Sequence, residues 1–338
     1  MKLIKTTEAV GQVLCHDMTQ IIPGEYKGAR FRKGHIVTKE DIPILLSMGK
    51  ENLYIFETDE NMLHENDAAE ILCDICKGEN INRSEVKEGK IELTSAINGL
   101  FTVDREKLLS INSIDEIMIA TRKGDTAVQI GDKLAGTRVI PLVIKKDKLN
   151  RAKAIMDETP IMRVLPYTLK TAAIITTGSE VFHGRIEDRF TPVLIEKLSA
   201  YGISVTEHLT VGDGIDHITS AVNAVKGRAD MILCTGGMSV DPDDNTPGAI
   251  RRSGAKIVTY GAPVLPGAMF LLGYYDDGTP VMGLPGCVMY AKATIFDLVL
   301  PRIAAGVKLN KADFVMYGEG GLCLNCEKCT YPHCPFGK

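Results

Sequence analysis

The sequence predicts an α/β protein: a mostly parallel sheet with helices on both faces, preceded by a mixed, β-rich N-terminal region and followed by a cysteine-rich tail. Three observations carry this. From about Lys170 onward, strand-like apolar runs alternate with segments of helical spacing, the signature of βαβ crossovers. Before that point the β-like runs are short and broken by Lys-Gly-Asp and Gly-Asp turns, which suits a small β-rich domain. At the other end, four cysteines fall in the last 16 residues. The expected divisions are 1–165, 166–310 and 311–338.

With 338 residues, 45% of them hydrophobic, the chain can bury a substantial core, and its length suggests two domains. Its formal net charge of -4 gives no general field for nucleic acid or an anionic membrane. Neither is an expected partner. The opening "MKLIKTTEAVGQV" lacks the apolar core of a signal peptide, and no run approaches the roughly 18 apolar residues that span a bilayer. A cytoplasmic protein is expected.

In the N-terminal region, Thr38 with Asp41 three residues on predicts a capped helix whose buried side is Ile42, Leu45 and Leu46, stopped by Gly49. The boundary is placed near "MRVLPYTLK". "TAAIITTG" is then a strand. Phe190, Val193, Leu194, Leu198 and Tyr201 mark one face of a helix, with Thr191 as cap, Pro192 at its first position and Gly202 at its end. "ISVTEHLTV" is a strand, "GIDHITSAVNAVKG" a helix and "ADMILCTGG" a third strand. "NTPGAIRRSG" reads as a short helix with Thr246 and Pro247 as cap and first turn. "AKIVTYGAPV", "MFLLGYY" and "PVMGLPG" follow, then an apolar helix through "YAKATIFDLVLPRIAAG".

In an open parallel sheet, ligands bind beyond the carboxyl ends of the strands, where loop amides and helix N-termini favour anions. "TTGSE" (176–180) and "CTGG" (234–237) both fall there. Glycine allows positive φ and close approach of backbone N–H groups to a phosphate oxygen. Asp241, Asp243 and Asp244 follow within a few positions, and carboxylates of this kind can hold Mg²⁺ together with ligand oxygens. Bare backbone beside carboxylates suggests a phosphorylated ligand with a divalent ion, although Gly-Gly and Asp-Pro-Asp-Asp are also ordinary turn chemistry.

A longer pattern gives these loops a context. "TTGSEV" (176–181), "VGDG" (211–214), "TGGMSVDPDD" (235–244), "LPG" (265–267) and "GLPG" (283–286), in this order, resemble the molybdopterin-binding domain of molybdenum-cofactor biosynthesis proteins. Within that group, "EAVGQVLCHD" near residue 10 is similar to the start of the molybdopterin molybdenumtransferase (MoeA/gephyrin-type) family. The resemblance covers about Lys170 to Gly306 and is patchy before it. It implies Thr177, Gly178, Ser179, Gly236, Gly237, Ser239, Pro285 and Gly286 as cofactor-binding residues and Glu180, Asp213 and Asp244 as catalytic ones. It also implies Mg²⁺ on Asp244 with Asp241, Asp243 or Glu180. The implied reaction is insertion of molybdate into adenylated molybdopterin with release of the nucleotide, often by a homodimer. Such a displacement at a phosphoanhydride needs charge neutralisation and oriented N–H donors more than a nucleophile.

The chain departs from that family at several points. Leu265 and Ala268 stand where lysines usually flank the Pro-Gly pair, Cys287 replaces an asparagine, and Arg189 and Phe190 replace a Ser-Asn pair. The Met-Asp-Gly-Tyr-Ala segment has no counterpart. Two other readings therefore stay open. One is a non-catalytic molybdopterin-binding module that senses redox state or docks a molybdoenzyme. The other is a nucleotide-pyrophosphatase-type enzyme on the same domain, as in competence-damage-like proteins.

The tail, "CLNCEKCTYPHCPFGK", spaces Cys323, Cys326, Cys329 and Cys334 as C-x2-C-x2-C-x4-C before a proline. In a reducing compartment such thiols persist as metal ligands rather than bridges. The run is similar to the bacterial ferredoxin pattern for an Fe-S cluster. Zn²⁺ on four thiolates, or on three with His333, suits it as well. Cys73 and Cys76 form a further C-x2-C, but Ile71, Leu72 and Ile75 around them point to small core residues.

Overall fold

A computed structural model describes residues 2–22, 24–55, 60–239, 241–242 and 244–338. The chain divides into two compact units. One comprises 1–96, 103–122 and 130–164, the other 97–102, 123–129 and 165–338. Two short internal segments thus join the C-terminal unit, which no periodicity in the sequence announced.

The first unit is built from short antiparallel pairings. Lys2–Lys5 pairs with Asn52–Ile55, and Met18–Ile22 with Tyr26–Phe31. A four-stranded sheet runs in the order Ile81–Arg83, Lys90–Ser95, Lys133–Val139, Ile117–Thr121. A helix spans Asp41–Ser47. Its start is held as the Thr38/Asp41 spacing suggests, since the Asp41 carboxylate accepts from the Thr38 N–H at 2.8 Å. Leu45 joins a core of Leu14, Met18, Phe31, Val37 and Leu53. Cys73 and Cys76 lie on the helix Glu65–Cys76, both fully buried, and burial pushes both thiols up. They behave as small core residues, not as exposed reactive thiols.

The second unit holds a six-stranded sheet. Its strands are β1 (Thr171–Thr177), β2 (Ser204–Val211), β3 (Met231–Thr235), β4 (Lys256–Tyr260), β5 (Leu271–Tyr274) and β6 (Pro280–Leu284). The order across the sheet is β2-β1-β3-β6-β5-β4. β1 runs parallel to β2 and β3, and β3 parallel to β6, while β5 and β4 continue antiparallel. The helices are α1 (Ser179–Phe182), α2 (Phe190–Ser199), α3 (Ile215–Val225), α4 (Thr246–Arg252), α5 (Ile295–Ala304) and α6 (Lys311–Val315).

Every residue of β3 and β6 is buried, as expected of strands covered on both faces. Alternation then sorts the side chains. Ala172, Ile174, Met231, Leu233, Met282 and Leu284 pack with Leu194 and Leu198 of α2 and Phe296, Val299 and Ile303 of α5. Ala173, Ile175, Ile232, Cys234 and Val281 pack with Ile218 and Val222 of α3 and Ala249 and Ile250 of α4. Helices therefore cover both faces, in agreement with the predicted class. α5 begins later than its apolar run suggests, because Thr294 and Asp297 form a reciprocal capping box; that pair satisfies orphan N–H groups there. Among the described residues, no helix is long and apolar enough to cross a membrane.

Candidate ligand site at the strand ends

The chain leaves β1 toward β2 on one side and leaves β3 toward the other half of the sheet. The carboxyl ends of β1 and β3 thus flank a topological switch point, the usual ligand position in such sheets. A crevice of about 470 Å³ opens here, lined by Thr176 and Thr177, Thr235 and Gly236, Asp188 and Arg189, and Met289 among others.

The two predicted loops meet at this point. Gly236 has φ +83, and a Cβ there would lie 2.3 Å from the Thr177 carbonyl oxygen and 2.6 Å from its Oγ1. Only glycine lets the β3 loop pass so close to the end of β1. Gly237 follows at φ +53. Thr246 donates to the Gly236 carbonyl at 2.8 Å, its own N–H donates to the Gly237 carbonyl at 3.2 Å, and its Oγ1 lies 3.4 Å from that of Thr177. Thr246 is therefore a loop anchor; the N-cap of α4 is Asn245. The Asn245 amide in turn donates to the Asp213 carbonyl at 2.9 Å.

Asp213 accepts from the Ser179 N–H at 2.8 Å. It ties the "VGDG" loop to the "TTGSE" loop and, as placed, acts as a positioning group. Gly178 precedes α1 at φ +139, and Glu180 is exposed on α1. Ser239 is exposed, and Tyr260 donates to the Met238 and Ser239 carbonyls at 3.1 and 3.3 Å. Burial, with Asp244 nearby, pushes the Tyr260 hydroxyl up. Asp244 turns its carboxylate onto the Asp241 N–H at 3.1 Å, so it closes its own loop. Asp243 lies outside the described residues. Pro285 is buried and Gly286 exposed. Neither lines the crevice, whereas Met289 does.

Among the described residues, no three His, Cys, Asp or Glu side chains are grouped to hold a metal ion. Of the expected Mg²⁺ set, Asp244 with Asp241, Asp243 or Glu180, Asp243 lies outside the described residues, and the described members Asp241, Asp244 and Glu180 are not grouped. The same holds for a single ion on Cys323, Cys326, Cys329 and Cys334.

The sequence reading missed the group that shapes the crevice wall. Asp188 accepts from the N–H groups of Phe190 and Thr191 at 2.8 and 3.0 Å and from the Thr176 and Thr191 hydroxyls at 3.0 and 2.6 Å. His208 Nε2 lies 3.1 Å from Thr176 Oγ1 and 3.5 Å from Asp188 Oδ2. Burial opposes ionisation of Asp188, but the hydrogen bonds from Thr191, Phe190 and Thr176 outweigh it and hold the carboxyl below its ordinary value. Asp188, rather than Thr191, satisfies the first amides of α2; Asp188-x-x-Thr191 is the spacing that could have shown it. Thr235 adds a second feature: its hydroxyl is buried at the crevice and, among the described residues, has no hydrogen-bond partner.

Comparison with known proteins bears on the same stretch of chain. Residues 173–305 match the family model described as a probable molybdopterin binding domain, and residues 3–57 match a domain of unknown function (DUF8806). Among curated proteins, a CinA-like protein of Desulfosudis oleivorans is 42% identical over 85 residues, 25% of this chain and 21% of that protein. A putative competence-damage inducible protein of Bacillus thuringiensis is 38% identical over 89 residues, 26% of this chain and 22% of that one. The matched stretch is thus about a fifth of those relatives' length. Among solved structures, the molybdopterin biosynthesis enzyme MoaB of Thermus thermophilus is 20% identical with a TM-score of 0.33, covering 41% of this chain and 98% of that one. The tungsten cofactor synthesizing protein MoaB of Pyrococcus furiosus is 22% identical with a TM-score of 0.35, over 43% and 99%. The stretch that matches the family model described as a probable molybdopterin binding domain contains both strand-end loops and the crevice between them.

Proposed function

We propose that the protein binds molybdopterin, or its adenylated form, in the crevice between β1 and β3 and inserts molybdate into it with release of AMP. The observation that carries the binding is the close meeting of the Gly236 loop with the end of β1 at the switch point, within a stretch that matches a molybdopterin-binding family model. Gly236 and Gly237 keep the backbone bare there, and Arg189 lines the crevice. Arg189 supplies positive charge that the usual lysines beside the Pro-Gly turn would otherwise give. Thr177, Gly178 and Ser179 complete the β1 side of the ligand loop, and Asp213 holds that side in place through Ser179. Glu180 and Asp244 are the acidic groups of the reaction in this reading. No step is assigned to Mg²⁺, because the described carboxylates do not form a ready ligand set. The same reading places the protein in the cytoplasm as a homodimer, supplying a molybdoenzyme, with a thiol-bound metal in its tail.

The test incubates the full chain with adenylated molybdopterin, molybdate and Mg²⁺ and measures molybdate-dependent AMP release. Release that is lost in Asp244→Asn while pterin binding persists supports the transferase. Binding without release makes the protein a molybdopterin-binding module. A second reading is favoured by the CinA-like relatives: hydrolysis of simple dinucleotides in the absence of any pterin would replace the transferase with a nucleotide pyrophosphatase.

A further inference from the structure

The C-terminal tail lacks regular secondary structure from Cys323 onward, yet it is seated against the second unit. Leu265 and Leu322 form a parallel bridge, and the Leu265 and Cys323 amides donate to the Gly321 and Leu265 carbonyls, each at 2.8 Å. Tyr331 donates to the Asp297 carbonyl at 3.1 Å, and Phe336 is buried in the same core as α5. Between these anchors the chain forms a pocket of about 170 Å³ that is open to solvent. All of Cys323, Cys326, Cys329 and Cys334 line it, together with Lys292, Tyr331 and Phe336.

We propose that these four cysteines together hold one iron–sulfur cluster. Around a tetrahedral zinc ion, sulfurs at about 2.3 Å from the metal stand only about 3.8 Å from one another and leave no space between them. Here the four cysteines line one pocket, and among the described residues no three His, Cys, Asp or Glu side chains are grouped to hold a single ion. The space they share is an order of magnitude above the roughly 10–15 Å³ that one water-sized occupant needs. A polynuclear cluster fills such a space with its own sulfides and spreads its thiolate ligands apart. His333 is exposed and absent from the lining, so the three-cysteine, one-histidine zinc site loses its fourth ligand. All four cysteines line the same pocket, so the last cysteine need not serve a second cluster as in two-cluster ferredoxins.

The surroundings suit an anionic centre. Each thiol loses its proton as its sulfur binds iron, and Lys292 in the cavity wall offers compensating charge. The aromatic and proline lining keeps part of the site dry, which tunes a cluster's potential. Cys326 and Cys329 are exposed, so the cluster lies at the surface and calls for handling without oxygen. This inference does not rest on the function proposed above.

The test purifies the full chain anaerobically, reconstitutes it with ferric iron, a thiol reductant and sulfide, and quantifies iron, acid-labile sulfide and zinc alongside the visible spectrum. Equal iron and sulfide, with a visible band bleached by dithionite, is expected. Cys326→Ser and Cys329→Ser should each lower retained iron about tenfold. Cys287→Ser, a cysteine outside the cavity lining, should retain it, and circular dichroism checks that each variant folds. Stoichiometric zinc without sulfide, no bound metal after reconstitution, or full iron retention in a Cys326→Ser/Cys329→Ser double variant would each overturn the proposal.

Discussion

Replacing Gly236 with alanine sets a methyl group 2.3 Å from the Thr177 carbonyl oxygen and 2.6 Å from its hydroxyl. Both atoms are on the buried end of β1, so neither can swing aside as a long surface side chain would. The backbone is also at φ +83, which costs a non-glycine residue about 1–2 kcal/mol. Forcing an extra methyl into packed surroundings adds about 1–3 kcal/mol. The expected destabilisation is therefore about 2–5 kcal/mol, with the crevice closed or displaced. Gly286→Ala is the control, because a Cβ there meets nothing within 4 Å and its φ is not in the left-handed region. It should leave stability within about 0.5 kcal/mol and affect ligand affinity only if the ligand approaches the backbone there. The chain has no tryptophan, so urea unfolding is followed by circular dichroism. Wild-type midpoint and slope in Gly236→Ala would refute the close packing of the two loops and, with it, the placement of the site.

Asp188→Asn tests the crevice wall. Its folded carboxyl titrates below its ordinary value, so its stabilisation is present above the unfolded pKa and is lost as pH falls through the folded one. The variant should flatten the decline in stability below about pH 4 and lower stability at neutral pH by about 1 kcal/mol, as loss of a cap does; an unchanged acid profile would count against the network. Lys197 and Asp297 form a partly buried ion pair, with side chains 16% and 12% exposed. Lys197→Met should cost about 1–3 kcal/mol by removing the cation beside a carboxylate that still caps α5, and a double-mutant cycle with Asp297→Asn isolates the coupling of the pair. Asp213→Ala should loosen the Ser179 loop at a cost of about 1 kcal/mol, read as faster amide exchange over 178–183. Equal exchange in both proteins would mean that Asp213 does not hold this loop.

The periodicity of the sequence was enough to read the C-terminal sheet. Strands buried on both faces must be continuously apolar, and "ADMILCTGG" and "PVMGLPG" announce themselves for that reason. The helices α2, α3 and α4 were legible from their spacing and flanking residues, and the loops at the ends of β1 and β3 from their glycines. What spacing cannot give is which polar group answers which amide. Asp188 took the capping place assigned to Thr191 because its carboxylate also reaches Thr176 on the neighbouring strand. Thr246 left its cap to hold Gly236 across ten residues. Asp244 folded back on its own loop, where its position among aspartates had suggested a metal. The unpartnered Thr235 hydroxyl looks, in sequence, like any strand threonine. In the tail the cysteine spacing suggested metal ligands, but only the tertiary structure shows that all four cysteines line one pocket. Local pattern fixes which residues are buried and which turn; hydrogen-bond partners and shared cavities depend on segments distant in the chain, and those only the tertiary structure brings together.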